Sequence, residues 1–242
     1  TGVDQRTDIQ RLIALSEKFP LAEWGFLYSP RRQGLPGRYP SFPFLQHWLS
    51  KMPAHVRIAL HICGIGVTNA LNGEPSANEL VGAVTARGGR IQLNFNLSKG
   101  YFPLYELREW ITQHPALDVI TQHHDSNAAV TERLRGLPNH AVLFDTSGGR
   151  GIAPELWPRS LAGVRCGYAG GIGPRTVGIQ LPRIASSAGE TTVWIDMEGS
   201  LRVLDAAGDD WMDLDLCEIV LSRVTEFTVR AQTAKRSEIG PA

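Results

Sequence analysis

Arg90-Ile91-Gln92-Leu93-Asn94-Phe95-Asn96 alternates apolar and polar residues without a break. Successive side chains of a strand point to opposite faces, which puts Ile91, Leu93 and Phe95 on one side and Gln92, Asn94 and Asn96 on the other. The apolar side is expected to meet helices. Strands covered on both faces normally read as apolar throughout, so the polar side is expected to line a binding site. The run at 56–63 repeats the pattern, with Val56, Ile58, Leu60 and Ile62 facing out and Arg57, Ala59, His61 and Cys63 facing in.

Moving outward, similar runs lie at 23–29, 118–124, 141–146, 164–170 and 192–198, and a stub at 1–4 makes eight. Trp194, Asp196 and Glu198 share a side of the last. Amphipathic stretches alternate with the runs, at 8–19, 42–51, 77–87, 104–113, 127–137, 154–161, 174–186 and 214–226, giving each strand a helix. Repeated βα units predict an α/β protein with a parallel sheet, and eight of them predict a closed (β/α)8 TIM barrel whose first strand is truncated or sits at the extreme N-terminus. An open doubly wound sheet would carry a Gly-rich turn after its first strand, and none follows residues 1–4. No linker interrupts the alternation, so residues 1–230 read as one domain and 231–242 as a polar, frayed tail.

Composition narrows the function. The 242 residues are 43% hydrophobic and carry 24 basic and 24 acidic side chains, so no basic field exists to hold nucleic acid or an anionic membrane. Cys63, Cys166 and Cys217 are odd in number and widely spaced, which fits reduced thiols and a cytoplasmic location. Without a signal peptide or membrane-length apolar run, the Asn96-Leu97-Ser98 sequon reads as accidental. The expected partner is a small molecule, with a homodimer compatible and no cofactor implied.

Four motifs, in order along almost the whole chain, resemble phosphoribosylanthranilate isomerase. They are Trp24-Gly25-Phe26-Leu27-Tyr28-Ser29-Pro30 leading to Arg38-Tyr39-Pro40-Ser41; Gln92-Leu93; Leu143-Phe144-Asp145-Thr146-Ser147-Gly148-Gly149-Arg150-Gly151; and Ala169-Gly170-Gly171-Ile172-Gly173-Pro174. The resemblance implies an Amadori-type aldose–ketose isomerisation of a small sugar-phosphate-like substrate. An acid protonates the furanose oxygen and a base removes the C2 proton. It assigns Asp145 as the acid, Arg38 as the clamp on a substrate carboxylate, and Gly149, Gly170, Gly171, Gly199 and Ser200 as the phosphate site, with His61, Gln92, Asn94, His124, Asp196 and Glu198 lining the substrate pocket at the C-terminal strand ends. Asp145 has a second reading, as a buried carboxylate bonded to amides of its Gly-rich loop.

The chain departs from the family in two places. The family's first strand carries Lys-x-Cys-Gly with the Cys as base, and Thr1 aligns with that thiol. A hydroxyl is far too weak an acid for the task, so Asp4 becomes a substitute candidate, with helix capping as its other reading. His61-Ile62-Cys63-Gly64 repeats the motif on another strand. Glu198 stands where the family has a serine-rich phosphate loop, and it would repel a dianion by several kcal/mol at an effective dielectric of about 20 unless Arg202 or Arg175 neutralised it. Two alternatives follow: a barrel without isomerase activity that binds a non-phosphate polar ligand, and a metal-dependent lyase or hydrolase built on His61, His124 and Asp145. His123 and His124 are adjacent, so only one of them is expected to face inward. The acidic run at 209–213 reads as the cap of the last helix.

Overall fold

The computed structural model describes residues 1–100 and 102–239, with side chains up to 233. Seven strands, β1 (Glu23–Tyr28), β2 (Arg57–Cys63), β3 (Arg90–Asn94), β4 (Asp118–His123), β5 (His140–Phe144), β6 (Arg165–Ala169) and β7 (Trp194–Asp196), pair in chain order, all parallel. The stub at 1–4 completes the ring. The N–H groups of Gly2 and Val3 donate to Gly25 O at 2.8 and 3.0 Å, Val3 bridges Phe26 in parallel, and the Thr1 nitrogen donates to Met197 O at 2.9 Å. Residues 1–4 therefore lie between β1 and β7, and the architecture is a (β/α)8 barrel.

Local chemistry explains the helices. α1 (Ile9–Lys18) starts where Asp8 accepts from Arg11 N–H at 3.1 Å, and it buries Ile9, Leu12 and Leu15. α2 (Phe42–Lys51) carries Pro43 in its first turn. α3 (Ile65–Leu71) is a short helix that the alternation did not suggest. α4 (Pro75–Thr85) is capped by Glu74, and α5 (Leu104–Gln113), α6 (Ala128–Leu134) and α7 (Val177–Ala188) follow their strands.

Three expectations need correction. Residues 154–161 form no helix, because Pro158 lacks an N–H and biases Trp157 toward extended backbone. That segment is held instead by Trp157 Nε1 donating to Gln180 Oε1 (2.9 Å) and by Tyr168 Oη donating to Pro158 O (2.9 Å). An unforeseen hairpin, β8 (Arg202–Leu204) and β9 (Asp210–Met212), precedes the last helix. That helix, α8 (Leu214–Ile239), runs past 226 and through the stretch expected to fray; residues 240–242 lie outside the described residues.

The side-chain alternation holds. Ile58, Leu60, Ile62, Ile91, Leu93 and Phe95 belong to the main core between sheet and helices. Inside the barrel a smaller apolar group, Ile120, Ala141, Leu143 and Ala169 with Trp194, fills the side formed by β4–β7. Opposite it, on β1–β3, Gly25, His61 and Gln92 line the interior. Among the described residues no helix is long and apolar enough to cross a membrane.

Candidate functional site

Gly25 lets the polar side of the barrel close up. A Cβ there would lie 2.6 Å from Thr1 Oγ1 and 3.0 Å from His61 Nε2, so its absence brings hydroxyl and imidazole together. Thr1 Oγ1 donates to Asp196 Oδ1 at 2.6 Å across the seam between β1 and β7. His61 is in register with Gln92, whose Nε2 donates to Asn94 Oδ1 (2.9 Å), and Asn94 Nδ2 reaches Cys63 Sγ (3.5 Å). Five residues expected to line the site, Thr1, His61, Gln92, Asn94 and Asp196, therefore form one polar layer.

Burial depresses the His61 imidazole below its ordinary value, and neighbouring Asp196 only partly opposes this. Burial pushes the Asp196 carboxyl the other way, but His61 and Thr1 outweigh it and hold the group below the usual carboxylate range. The layer thus pairs a neutral imidazole with a carboxylate. Cys63, buried among these groups, is pushed up to about 11, so it stays a thiol and is a poor base.

A cavity of about 940 Å³ includes Thr1, His61, Gln92 and Asp196 in its wall. Its other walls run toward the N-terminal ends of the strands, where Arg57, Arg90 and Arg165 border it, and between β7 and helices α7 and α8. The sequence places the pocket at the C-terminal rim; this cavity instead extends from the polar layer the opposite way. Asp145, Arg38 and the glycine loops do not border it.

At the C-terminal rim, Asp145 follows β5 on its inward face and is 4% exposed. Its Oδ1 accepts from Ser147 Oγ (2.9 Å) and its Oδ2 from Gly149 N–H (2.6 Å), so it organises its own loop, as its second reading required. Gly149's amide is occupied in the process. Gly170 and Gly171 take φ of 111° and 61°, and side chains there would collide with Ile152 O and Ala153 N, at 2.7 and 2.5 Å. The loop after β5 therefore lies directly over them. Ser200 meets Gly173 and donates to Ile172 O at 2.7 Å, which joins the loops after β6 and β7; Gly199 faces open space.

Arg38 is already paired. It binds Glu198 Oε1 at 2.7 Å and Asp210, while Arg202 bonds Asp4 Oδ2 at 2.9 Å and lies 3.3 Å from Asp210. Of the two arginines considered as neutralisers of Glu198, neither does so; Arg38 does. Asp4 is fully buried and accepts from Arg202, Met212 N–H, Arg6 N–H and Thr7 Oγ1, so its candidacy as base gives way to a structural role. Sequence reading missed Asp210 by assigning the whole acidic run to helix capping. Only Asp213 caps α8, accepting from Asp215 and Leu216 N–H.

His123 faces outward to Thr131 Oγ1 (2.7 Å), and His124, just beyond the end of β4, is 8% exposed. Among the described residues no three His, Cys, Asp or Glu side chains converge as metal ligands, so His61, His124 and Asp145 do not form the metal centre of the third alternative.

The whole-chain architecture is shared with several solved structures. Phosphoribosyl anthranilate isomerase from Thermotoga maritima superposes with a TM-score of 0.56 at 16% identity, covering 93% of this chain and 97% of that one. The chain has the fold of phosphoribosyl anthranilate isomerase. The Thermus thermophilus enzyme gives 0.55 at 17% identity over 93% and 98% of the two chains, and TrpF from Jonesia denitrificans gives 0.56 at 14% identity over 91% and 94%. A further isomerase structure of this kind, at 15% identity and TM-score 0.54, is a complex with reduced 1-(o-carboxyphenylamino)-1-deoxyribulose 5-phosphate. No protein-family model and no curated protein sequence matches the chain.

Proposed function

We propose that the chain is a cofactor-free, cytoplasmic isomerase-like barrel that converts a small phosphorylated aminoaldose into the corresponding aminoketose. The observation that carries this reading is the position of Asp145, an inward carboxyl at the end of β5 whose Oδ1 is 3.9 Å from the Cβ site of Gly170, so that acid and glycine loops share one rim. Asp145 is the acid for the ring oxygen, and the loops holding Gly171, Gly199 and Ser200 receive the phosphate, with the open space beside Gly199 as its entry. Arg38 clamps a substrate carboxylate by exchanging Glu198 for it. The ligand held by one structural neighbour, the reduced form of an aminoketose phosphate bearing a carboxyphenyl group, has these same anionic ends.

The test is turnover of N-(5-phosphoribosyl)anthranilate by purified protein, followed by loss of substrate fluorescence, together with rescue of a tryptophan auxotroph lacking this isomerase. Turnover that disappears in Asp145→Asn supports the reading; a folded wild type without turnover or rescue overturns it. A second reading, a binding barrel for a polar ligand without phosphate, is favoured by the Arg38–Glu198 pair, because a carboxylate occupies the place a phosphate would need. Equal affinity for a sugar and its phosphate ester would select it.

A further inference from the structure

An acid alone does not complete the isomerisation. A second group must take the C2 proton, and Thr1, aligned with the family's thiol, carries a hydroxyl hydrogen-bonded to Asp196. We propose that His61 is the general base, taking the proton from the substrate carbon beside the imine; the assignment rests on the isomerase reading above.

The geometry points to His61 in three ways. Its Nε2 and Thr1 Oγ1 both lie within 3.0 Å of a single point above Gly25, so the imidazole stands beside the position from which the family's base would act. The residue is 4% exposed and stands in one polar layer with Thr1, Gln92 and Asp196. Finally, Asp196 sits next to it on β7 and stabilises the imidazolium that proton transfer creates.

The charged groups facing the ring are Asp196 and Glu198 from β7 and the loop beyond it, Glu23 from β1, and the amino group of Thr1; Gln92 on β3 is neutral. Burial keeps the ring in its neutral, proton-accepting form at neutral pH.

The step balances. Asp145 gives its proton to the ring oxygen as the C1–O bond breaks, leaving a C1=N iminium. His61 removes the C2 proton, the C–H electrons form C1=C2, and the iminium π pair returns to nitrogen. His61 then delivers that proton to C1 while the Asp145 carboxylate takes the proton from O2, leaving the ketone and both side chains as they began.

The experiment measures kcat, KM and their pH profiles for wild type and His61→Gln. We expect kcat to fall about 10²- to 10⁴-fold with KM changed less than about threefold. In wild type the acidic limb of kcat/KM lies below pH 6.5, and it vanishes in the variant. A His61→Ala variant regains part of its rate from added imidazole. If wild type turns over and His61→Gln keeps its rate and acidic limb, His61 is not the base while the isomerase reading stands. If folded wild type does not turn over, both fall together. Should the His61 variants fail to fold, Asp196→Asn decides: loss of the carboxylate moves the acidic limb to lower pH, and an unmoved limb overturns the proposal.

Discussion

Trp194 occupies the space that a side chain at Gly167 would need. The two are register partners on β7 and β6, and a Cβ on Gly167 would lie 2.5 Å from the indole Cδ2 and closer still to Cε2. The indole is thereby turned into the barrel, where it packs with Leu143 and Ala169 and receives the Arg90 guanidinium 4.6 Å from its centroid.

Gly167→Ala should therefore destabilise the fold by overpacking, by about 1–3 kcal/mol. In a domain of this size that lowers Tm by roughly 2–4 °C per kcal/mol, and tryptophan fluorescence should shift as the ring moves. An unchanged melting curve would show that the barrel interior relaxes freely around the indole.

The Asp4–Arg202 pair makes a different prediction. Both side chains are almost wholly removed from solvent, and Asp4 also receives three other hydrogen bonds. Removing one charge from a buried pair costs about 3–5 kcal/mol because the partner is left uncompensated, with Asp210 offsetting part of that here. Urea denaturation of Asp4→Asn should show this loss, whereas a catalytic role would lower turnover and leave stability alone.

Acid sensitivity should centre on His140. Burial lowers its imidazole to about 4, with Arg165 adding to the effect, while Nε2 bonds Thr121 Oγ1 at 2.9 Å. The unfolded chain takes up a proton near pH 6.5 that the native state refuses until about pH 4. Stability is therefore fully present above pH 6.5 and declines as pH falls to about 4, by roughly 3 kcal/mol from this residue. His61 and His123 are shifted the same way, so His140→Gln is compared with wild type. Denaturation midpoints at pH 7 and 4.5 should lie closer together in the variant than in wild type, and identical pH slopes would exclude His140 as the source.

Glu198 should limit anion binding. It holds Arg38 and stands beside the Gly199 loop, with its side chain about one-third exposed. Glu198→Gln removes a negative charge and frees part of the Arg38 fork, so affinity for inorganic phosphate should rise about tenfold at low salt, with the gain shrinking as salt screens it. Calorimetric titration measures this, and unaltered affinity would place the anion elsewhere.

The contrast between what could and could not be read from residues is physical. Gln92 and Asn94 declared their inward face because strand alternation is local, and the 104–113 helix matched to the residue for the same reason. Residues 154–161 misled because their apolar spacing suits a helix while Pro158 forbids one, a conflict periodicity does not weigh. Thr1 with Asp196 and Arg38 with Asp210 meet across 195 and 172 positions, so only closure of the ring reveals them. Asp145 was legible as a residue at the end of its strand, but its bonds to Ser147 and Gly149 depend on a turn that composition alone does not specify.

The seam between β1 and β7 also governs how the molecule assembles. Thr1 and Met197 are 196 positions apart, and bringing them together carries a loop-closure entropy that grows with the span. We expect ring closure to come late in folding and to rupture early in unfolding, so the amides of Gly2 and Val3 should exchange with deuterium well ahead of those in β3 and β4.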